Sequence, residues 1–195
     1  HMSLLFKLLD SAERLVIQVH PTNEFAREYF NSDFGKTESW YILNDGGYVY
    51  IGFKPHITKE YFIELFNKQD ISAMLECLHK FGVHSGDIIF VSGGVPHAIG
   101  AGCFLAELQE PTDLMVIPER ITPSGIVLAD EKLHGGLGFD KMFDCFCFEG
   151  SNRDETYTKY FKRPQRVNDN EKEILSIVKF LNKLSNIKYE LLKYH

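Results

Sequence analysis

The sequence predicts a mainly β protein with helical insertions, built as a barrel or a sandwich. Three observations carry this. Short runs of β-branched, aromatic and apolar residues recur from Leu4 to Ile117, and Gly, Asn and Asp turns punctuate them. One stretch, Thr58 to Lys80, breaks that pattern with apolar residues at helical spacing. From Phe81 onward the pattern returns to strands, with Gly86-Asp87 and Gly93-Gly94 as turns.

The elements follow in order. Leu4–Leu9 reads as a strand, with Asp10-Ser11-Ala12-Glu13 as the turn out of it. Leu15–His20 is a second strand that Pro21 ends, and Asn23 is placed to cap a short helix over Glu24–Phe30. After a loop at Asn31–Gly35, Thr37–Leu43 returns as a strand, and Asn44-Asp45-Gly46-Gly47 suits a hairpin into Tyr48–Phe53. Thr58 can cap a helix over Lys59–Lys68, and Asp70 another over Ile71–Lys80, the two forming a cover rather than a separate domain. Strands resume at Phe81–His84, Asp87–Val91, Ala98–Ile99, Cys103–Gln109 and Leu114–Ile117. Ile121–Gly138, rich in Gly, Pro, Ser and His, reads as a long loop of the kind that carries function. Met142–Phe148 reads as an apolar strand, Asn152–Arg166 as a charged helix, and Glu171–Leu184 as a helix with Ile174, Leu175, Val178, Leu181 and Leu184 on one side.

At 195 residues the chain is expected to be one domain with a substantial core. A formal charge of -6, with no Lys/Arg-rich block, argues against a nucleic-acid partner. No apolar run is long enough for a membrane span. His1-Met2 reads as a remnant of tag cleavage, and Leu4–Leu9 is too short for a signal peptide. The four cysteines, Cys77, Cys103, Cys145 and Cys147, form no CxxC pair, which suits reduced thiols in the cytoplasm. Cys145 and Cys147 could be two metal thiolates, but their alternation with Phe146 and Phe148 favours ordinary strand positions.

Chemistry concentrates in three separate places. Gln18 and His20 sit two apart in an apolar strand, so both face one side, where an amide beside an imidazole is costly unless something binds them. Glu38 follows in Lys36-Thr37-Glu38-Ser39-Trp40, and His97 is presented by the turn Gly93-Gly94-Val95-Pro96 after an apolar strand. Two neutral imidazoles, a carboxylate and an amide oxygen suit a zinc site with positions left open for water or substrate. Taken singly, each residue has an ordinary structural reading, and His56, His79, His84 and His134 keep that reading here.

Gln18-Val19-His20-Pro21, Gly35-Lys36-Thr37-Glu38-Ser39-Trp40-Tyr41, Gly94-Val95-Pro96-His97-Ala98 and Leu105-Ala106-Glu107-Leu108-Gln109-Glu110-Pro111-Thr112-Asp113 resemble the type I mannose-6-phosphate isomerases, in that order and over most of residues 3–150. The resemblance implies a cupin (RmlC-like jelly-roll) β-barrel, left incomplete if strands are missing. It implies a metal-binding domain over 3–150, into which the helical stretch 58–80 is inserted, and after about Gly150 it fades into a charged tail over 151–195 that reads as helical. It also implies one Zn2+ per chain, held by Gln18, His20, Glu38 and His97, and a sugar-phosphate pocket lined by Lys36, Glu107 and Asp113. The reaction implied is aldose–ketose isomerisation of mannose 6-phosphate and fructose 6-phosphate through a cis-enediol.

The sequence departs from the family in two respects. The family has an arginine four residues after the aspartate matching Asp113; here that position is Ile117, and Arg120 is the candidate to replace it from the neighbouring loop. Family members also begin earlier and end later, so open sheet edges and pairing into a homodimer are expected. These departures leave an alternative: a metal-binding cupin that holds a sugar phosphate without isomerising it. A metal-free scaffold would leave the joint presence of all four ligand types unexplained.

Overall fold

A computed structural model describes residues 4–162. Its elements, in order, are β1 (Leu5–Ser11), α1 (Asn23–Tyr29), β2 (Glu38–Ile42), β3 (Tyr48–Phe53), α2 (Lys59–Lys68), α3 (Ile71–Glu76), β4 (Leu78–Gly82), β5 (Ile88–Val91), β6 (His97–Ile99), β7 (Cys103–Gln109), α4 (Asp130–His134), α5 (Phe139–Met142), α6 (Arg153–Tyr160) and β8 (Phe161–Lys162). A 3-10 turn over Phe143–Cys145 follows α5 directly. The strands form two antiparallel sheets, ordered β1-β7-β2-β5-β8 and β4-β3-β6.

Side-chain alternation sorts the core into two layers. Trp40, Ile42, Ile89, Val91 and Leu105 from the larger sheet pack against Val49, Ile51, Phe81 and Ile99 from the smaller one. The other face of the smaller sheet, through Phe53, Leu78 and Ala98, packs with Phe62, Leu65, Phe66, Met74, Phe143 and Phe146 of the helical cover. The two sheets thus face each other as an open jelly-roll-like pair rather than a closed barrel among the described residues.

Several segments differ from the sequence expectation, each for a local reason. Leu15–His20 is extended but not a full strand: Gln18 bridges only His97, and Val19 bridges only Val116 on the opposite side. Leu114–Ile117 accordingly shrinks to that one bridge. Thr22 rather than Asn23 caps α1, accepting from Phe25 N–H, while Asn23 Oδ1 accepts from Gly35 N–H. Asn44–Gly47 does not close a hairpin, because β2 and β3 lie in different sheets. The Asn44 side chain instead bonds Gly102 O and Phe104 N–H, tying the turn to the start of β7.

Thr58 and Asp70 cap α2 and α3 as expected, but α3 stops at Glu76. The next residues form β4, which supplies β3 with its second neighbour. Ile121–Gly138 contains α4 and a bridge between Ile121 and Val127. Met142–Phe148 is not a strand. Phe139, Phe143 and Phe146 pack around Phe62 and Phe66, with ring centroids 5.2–5.7 Å apart for the closest pairs. That packing selects helical turns over the alternation of cysteine and phenylalanine. Cys145 is buried there and Cys147 exposed. α6 carries a full capping box between Asn152 and Glu155, and β8 after it pairs with β5. The helix read over Glu171–Leu184 lies outside the described residues.

Candidate metal centre

The segment 15–20 carries the first ligand-type residue into the space between the sheets. Ile17 and Val19 bury into the helix-side core, so alternation turns Gln18 and His20 the other way. Gln18 and His97 exchange both backbone hydrogen bonds, at 2.9 and 3.0 Å, which fixes His20 next to β6. Two glycines let the chain close up here. A Cβ on Gly35 would lie 2.2 Å from Pro21 O, and one on Gly93 would lie 2.6 Å from the same oxygen. The glycines of two separate motifs therefore clamp one turn, the one just after His20.

Glu38 comes from the inner face of β2, in register with Gln109 of β7 and Val91 of β5. Its carboxylate meets both imidazoles: His20 Nε2 is 3.3 Å from Oε2, and His97 Nε2 is 3.3 Å from Oε1. All three residues are buried, and their ligand-type atoms lie within 4.8 Å of one another. Each ring is oriented from behind by a backbone carbonyl, His20 Nδ1 against Leu114 O at 3.0 Å and His97 Nδ1 against Val95 O at 2.8 Å. A carbonyl can only accept, so both Nδ1 atoms carry the hydrogen. Burial keeps the His20 imidazole neutral, lowering its pKa from 6.5 to about 4.

A neutral ring with its hydrogen on Nδ1 presents a bare lone pair at Nε2. That lone pair on His20 and the Nε2 of His97 both point at the Glu38 carboxylate, and among the described residues no hydrogen bond satisfies any of the four atoms. Buried polar atoms are nearly always partnered, and an unmet one costs about 1–3 kcal/mol. Four at one point fit a divalent cation, and the Nδ1–carbonyl bonds are the outer support that metal-bound histidines usually have.

Lys36, almost fully buried, brings Nζ to 3.3 Å from Glu38 Oε2. Glu107 lies on the inner face of β7 between Trp40 and Lys7. Its pKa is raised by burial and then by the nearby Glu38 charge. Asp113 is exposed and pairs with Lys7 at 2.9 Å, and Lys7 Nζ is also 3.9 Å from Glu107. Arg120 lies elsewhere. Its guanidinium pairs with Asp130 at 2.6 Å and covers the Phe66 and Phe139 rings, and among the described residues neither contact involves a site residue. Ile117 is buried in the core.

Sequence reasoning overlooked three inner-face residues. Lys7 alternates with Leu5 and Leu9, and a lysine in that core register was a usable signal. Trp40 Nε1 and Gln109 Oε1 are buried without partners, which only the packing reveals. His79, read as structural, bonds Ser151 O at 2.8 Å.

No protein-family model matches the chain. It is 36% identical over 116 residues to the mannose-6-phosphate isomerase ManA of Bacillus subtilis, an alignment covering 56% of this chain and 34% of that protein. It is 35% identical over 112 residues to the mannose-6-phosphate isomerase of Streptococcus mutans, with the same coverage. Its curated relatives are mannose-6-phosphate isomerases. The chain spans about a third of the length of those it matches.

The crystal structure of the B. subtilis mannose 6-phosphate isomerase superposes with a TM-score of 0.63 at 26% identity, over 78% of this chain and 46% of that one. A zinc-bound holo mannose 6-phosphate isomerase shares the fold, with a TM-score of 0.61 at 15% identity over 86% of this chain and 59% of that one. The type I mannose-6-phosphate isomerase resemblance read from the motifs is therefore shared by sequence relatives and by fold.

The His20 environment makes a pH prediction. An unfolded His20 titrates near 6.5 and the folded one near 4, so between those values the unfolded state binds more protons. Metal-free protein should lose about 3 kcal/mol of stability as pH falls from about 6.5 to about 4. Denaturant unfolding across that range reads it. A His20→Gln variant should have a flatter profile there.

Proposed function

We propose that this chain carries the zinc centre and sugar-phosphate pocket of a mannose-6-phosphate isomerase, interconverting mannose 6-phosphate and fructose 6-phosphate. The observation supporting this most strongly is the convergence of four buried atoms of His20, Glu38 and His97 that lack a hydrogen-bond partner, with Lys36 ion-paired to one Glu38 oxygen. Gln18, opposite His97 and turned to the same side as His20, is the proposed fourth ligand. A zinc ion held there would supply Lewis acidity toward a sugar carbonyl or hydroxyl oxygen.

The chain's own residues divide the remaining work. Isomerisation takes the proton from C2 of the aldose and returns one to C1 through a cis-enediol. Glu107, with its pKa raised by burial, is suited to holding and moving that proton. Lys36 and Lys7 place positive charge beside it for sugar or phosphate oxygens, and Asp113 positions Lys7. The free thiols Cys77, Cys103, Cys145 and Cys147 fit a reducing, cytoplasmic setting. A homodimer partner would pair along the edge of β1, which among the described residues pairs only with β7 and where Phe6 and Leu8 are exposed.

One observation favours a second reading, a cupin that binds a sugar phosphate without turning it over. The family's arginine position is filled by buried Ile117, and Arg120 is engaged with Asp130 and two aromatic rings. A coupled assay for fructose 6-phosphate, on protein dialysed and reloaded with zinc, separates the two. Turnover in the wild type that disappears in His97→Ala supports the isomerase. Stoichiometric zinc with no turnover supports the second reading.

A further inference from the structure

A second site lies on the opposite face of the smaller sheet from His97. Lys54, just after β3, Lys80 of β4 and Arg153, the first residue of α6, share a cavity of about 330 Å³ with Tyr50, Ser72 and Glu76. Lys7, Arg14, Lys36, Lys59, Arg120 and Lys141 each find a carboxylate within 4 Å. Among the described residues, the three cations of this cavity find none; nor do Arg27, Lys132 and Lys159, and what sets the three apart is that they line one hollow. Two of them are nevertheless held in place. Lys80 Nζ sits 4.0 Å over the Tyr48 ring, and Arg153 donates to Lys80 O at 2.7 Å while lying 4.3 Å over the Phe81 ring. Rings and carbonyls position a cation without neutralising it.

Like charges repel, so three cations from three elements around one hollow, with Glu76 the one carboxylate among its lining residues, leave an excess positive charge that a bound anion would relieve. In a chain of net charge -6 the cluster is a local reversal of sign. We infer that this cavity binds a small phosphomonoester, its phosphate held by Lys54, Lys80 and Arg153 and its hydroxyl-bearing remainder by Ser72 and Glu76. Three cations suit a phosphate dianion, with the guanidinium fork giving direction and the two ammonium groups giving charge. Glu76 on the rim opposes a bare polyanion and accepts from a hydroxyl, which selects an ester of a polyol. A cavity of this size suits a small metabolite. Tyr50 lines the hollow, and its neighbour Ile51 pairs with His97 on the other face of β3. Occupancy therefore borders the metal centre through one strand.

The test is an amide-resolved NMR titration of the full chain with inorganic phosphate, glucose 6-phosphate and glucose, up to ~10 mM each. Saturable shifts are expected at Lys54, Ser72, Glu76, Lys80 and Arg153 with both phosphates and not with glucose. The double variant Lys54→Ala/Lys80→Ala should weaken them by about tenfold or more. Lys36→Ala should leave them unchanged, which separates this cavity from phosphate bound at the candidate metal centre. No saturable shifts at these residues, equal shifts with neutral glucose, or shifts untouched by the double variant would overturn the assignment. Each spectrum reports the fold of its own variant, so an unfolded variant is not misread as a loss of binding.

Discussion

Zinc at about a thousand times its dissociation constant should raise the unfolding temperature of the wild-type protein by roughly 10 °C, and His97→Ala should abolish that rise. A ligand that binds only the folded state at that excess contributes about 4 kcal/mol, and a chain of this size gains about 2–4 °C per kcal/mol. The site makes the effect specific, because folding brings together residues from three distant stretches, 18–20, 36–38 and 97. An unfolded chain offers no such set. His97→Ala removes one of two imidazoles, leaving Glu38 and His20 with an incomplete shell. His84→Ala is the control: His84 is exposed, faces Asp45, and should leave the zinc response intact. Scanning calorimetry with and without zinc reads all three proteins.

The second large effect lies behind the site. Glu119, buried, accepts from Arg14 through both oxygens at 2.6 and 2.8 Å, and its Oε1 also accepts from Ile17 N–H at 2.6 Å. These bonds tie both the side chain before the 15–20 segment and the backbone within it to one carboxylate. Glu119→Ala would leave Arg14, largely buried, without its partner and Ile17 N–H without an acceptor. Removing one member of a buried pair costs about 3–5 kcal/mol, or roughly 10 °C in unfolding temperature for this size. Replacing both residues, as Arg14→Met with Glu119→Leu, should recover much of that loss because no buried charge is stranded. Zinc affinity should fall with Glu119→Ala as well, since the segment it braces holds His20.

Much of this was legible in the chain. β3 over Tyr48–Phe53 and β7 over Cys103–Gln109 carry clean alternation with turn residues at both ends, and they form where expected. α2 does as well, because Thr58 and the apolar spacing after it agree. The candidate centre was legible because its residues sit in short, spaced motifs: the strand period turns His20 inward, and the turn around Gly93 presents His97.

What failed depended on tertiary context. Phe139 and Phe143 take helical turns, with Phe146 extended just after them, because the flanks of Phe62 and Phe66 must be covered, and no local rule states that. The Asn44–Gly47 turn looks like a hairpin in sequence, yet its side chain bonds the start of β7 and its strands part. Arg120 sits only a few residues from the family's arginine position. Asp130 and the Phe66 and Phe139 faces nevertheless hold it outside the centre. Lys7 entered the centre because β1 pairs with β7, a contact across most of the described chain.

Anomalous diffraction at the zinc edge, from crystals of zinc-reconstituted protein, tests the proposed centre most directly. One strong peak is expected, at about 2.0–2.1 Å from His20 Nε2 and His97 Nε2 and about 2.0–2.2 Å from a Glu38 oxygen, with Gln18 at the next position. A peak absent from that point, or found only at exposed Cys147 or another surface group, would contradict the assignment and remove the basis for the isomerase reading.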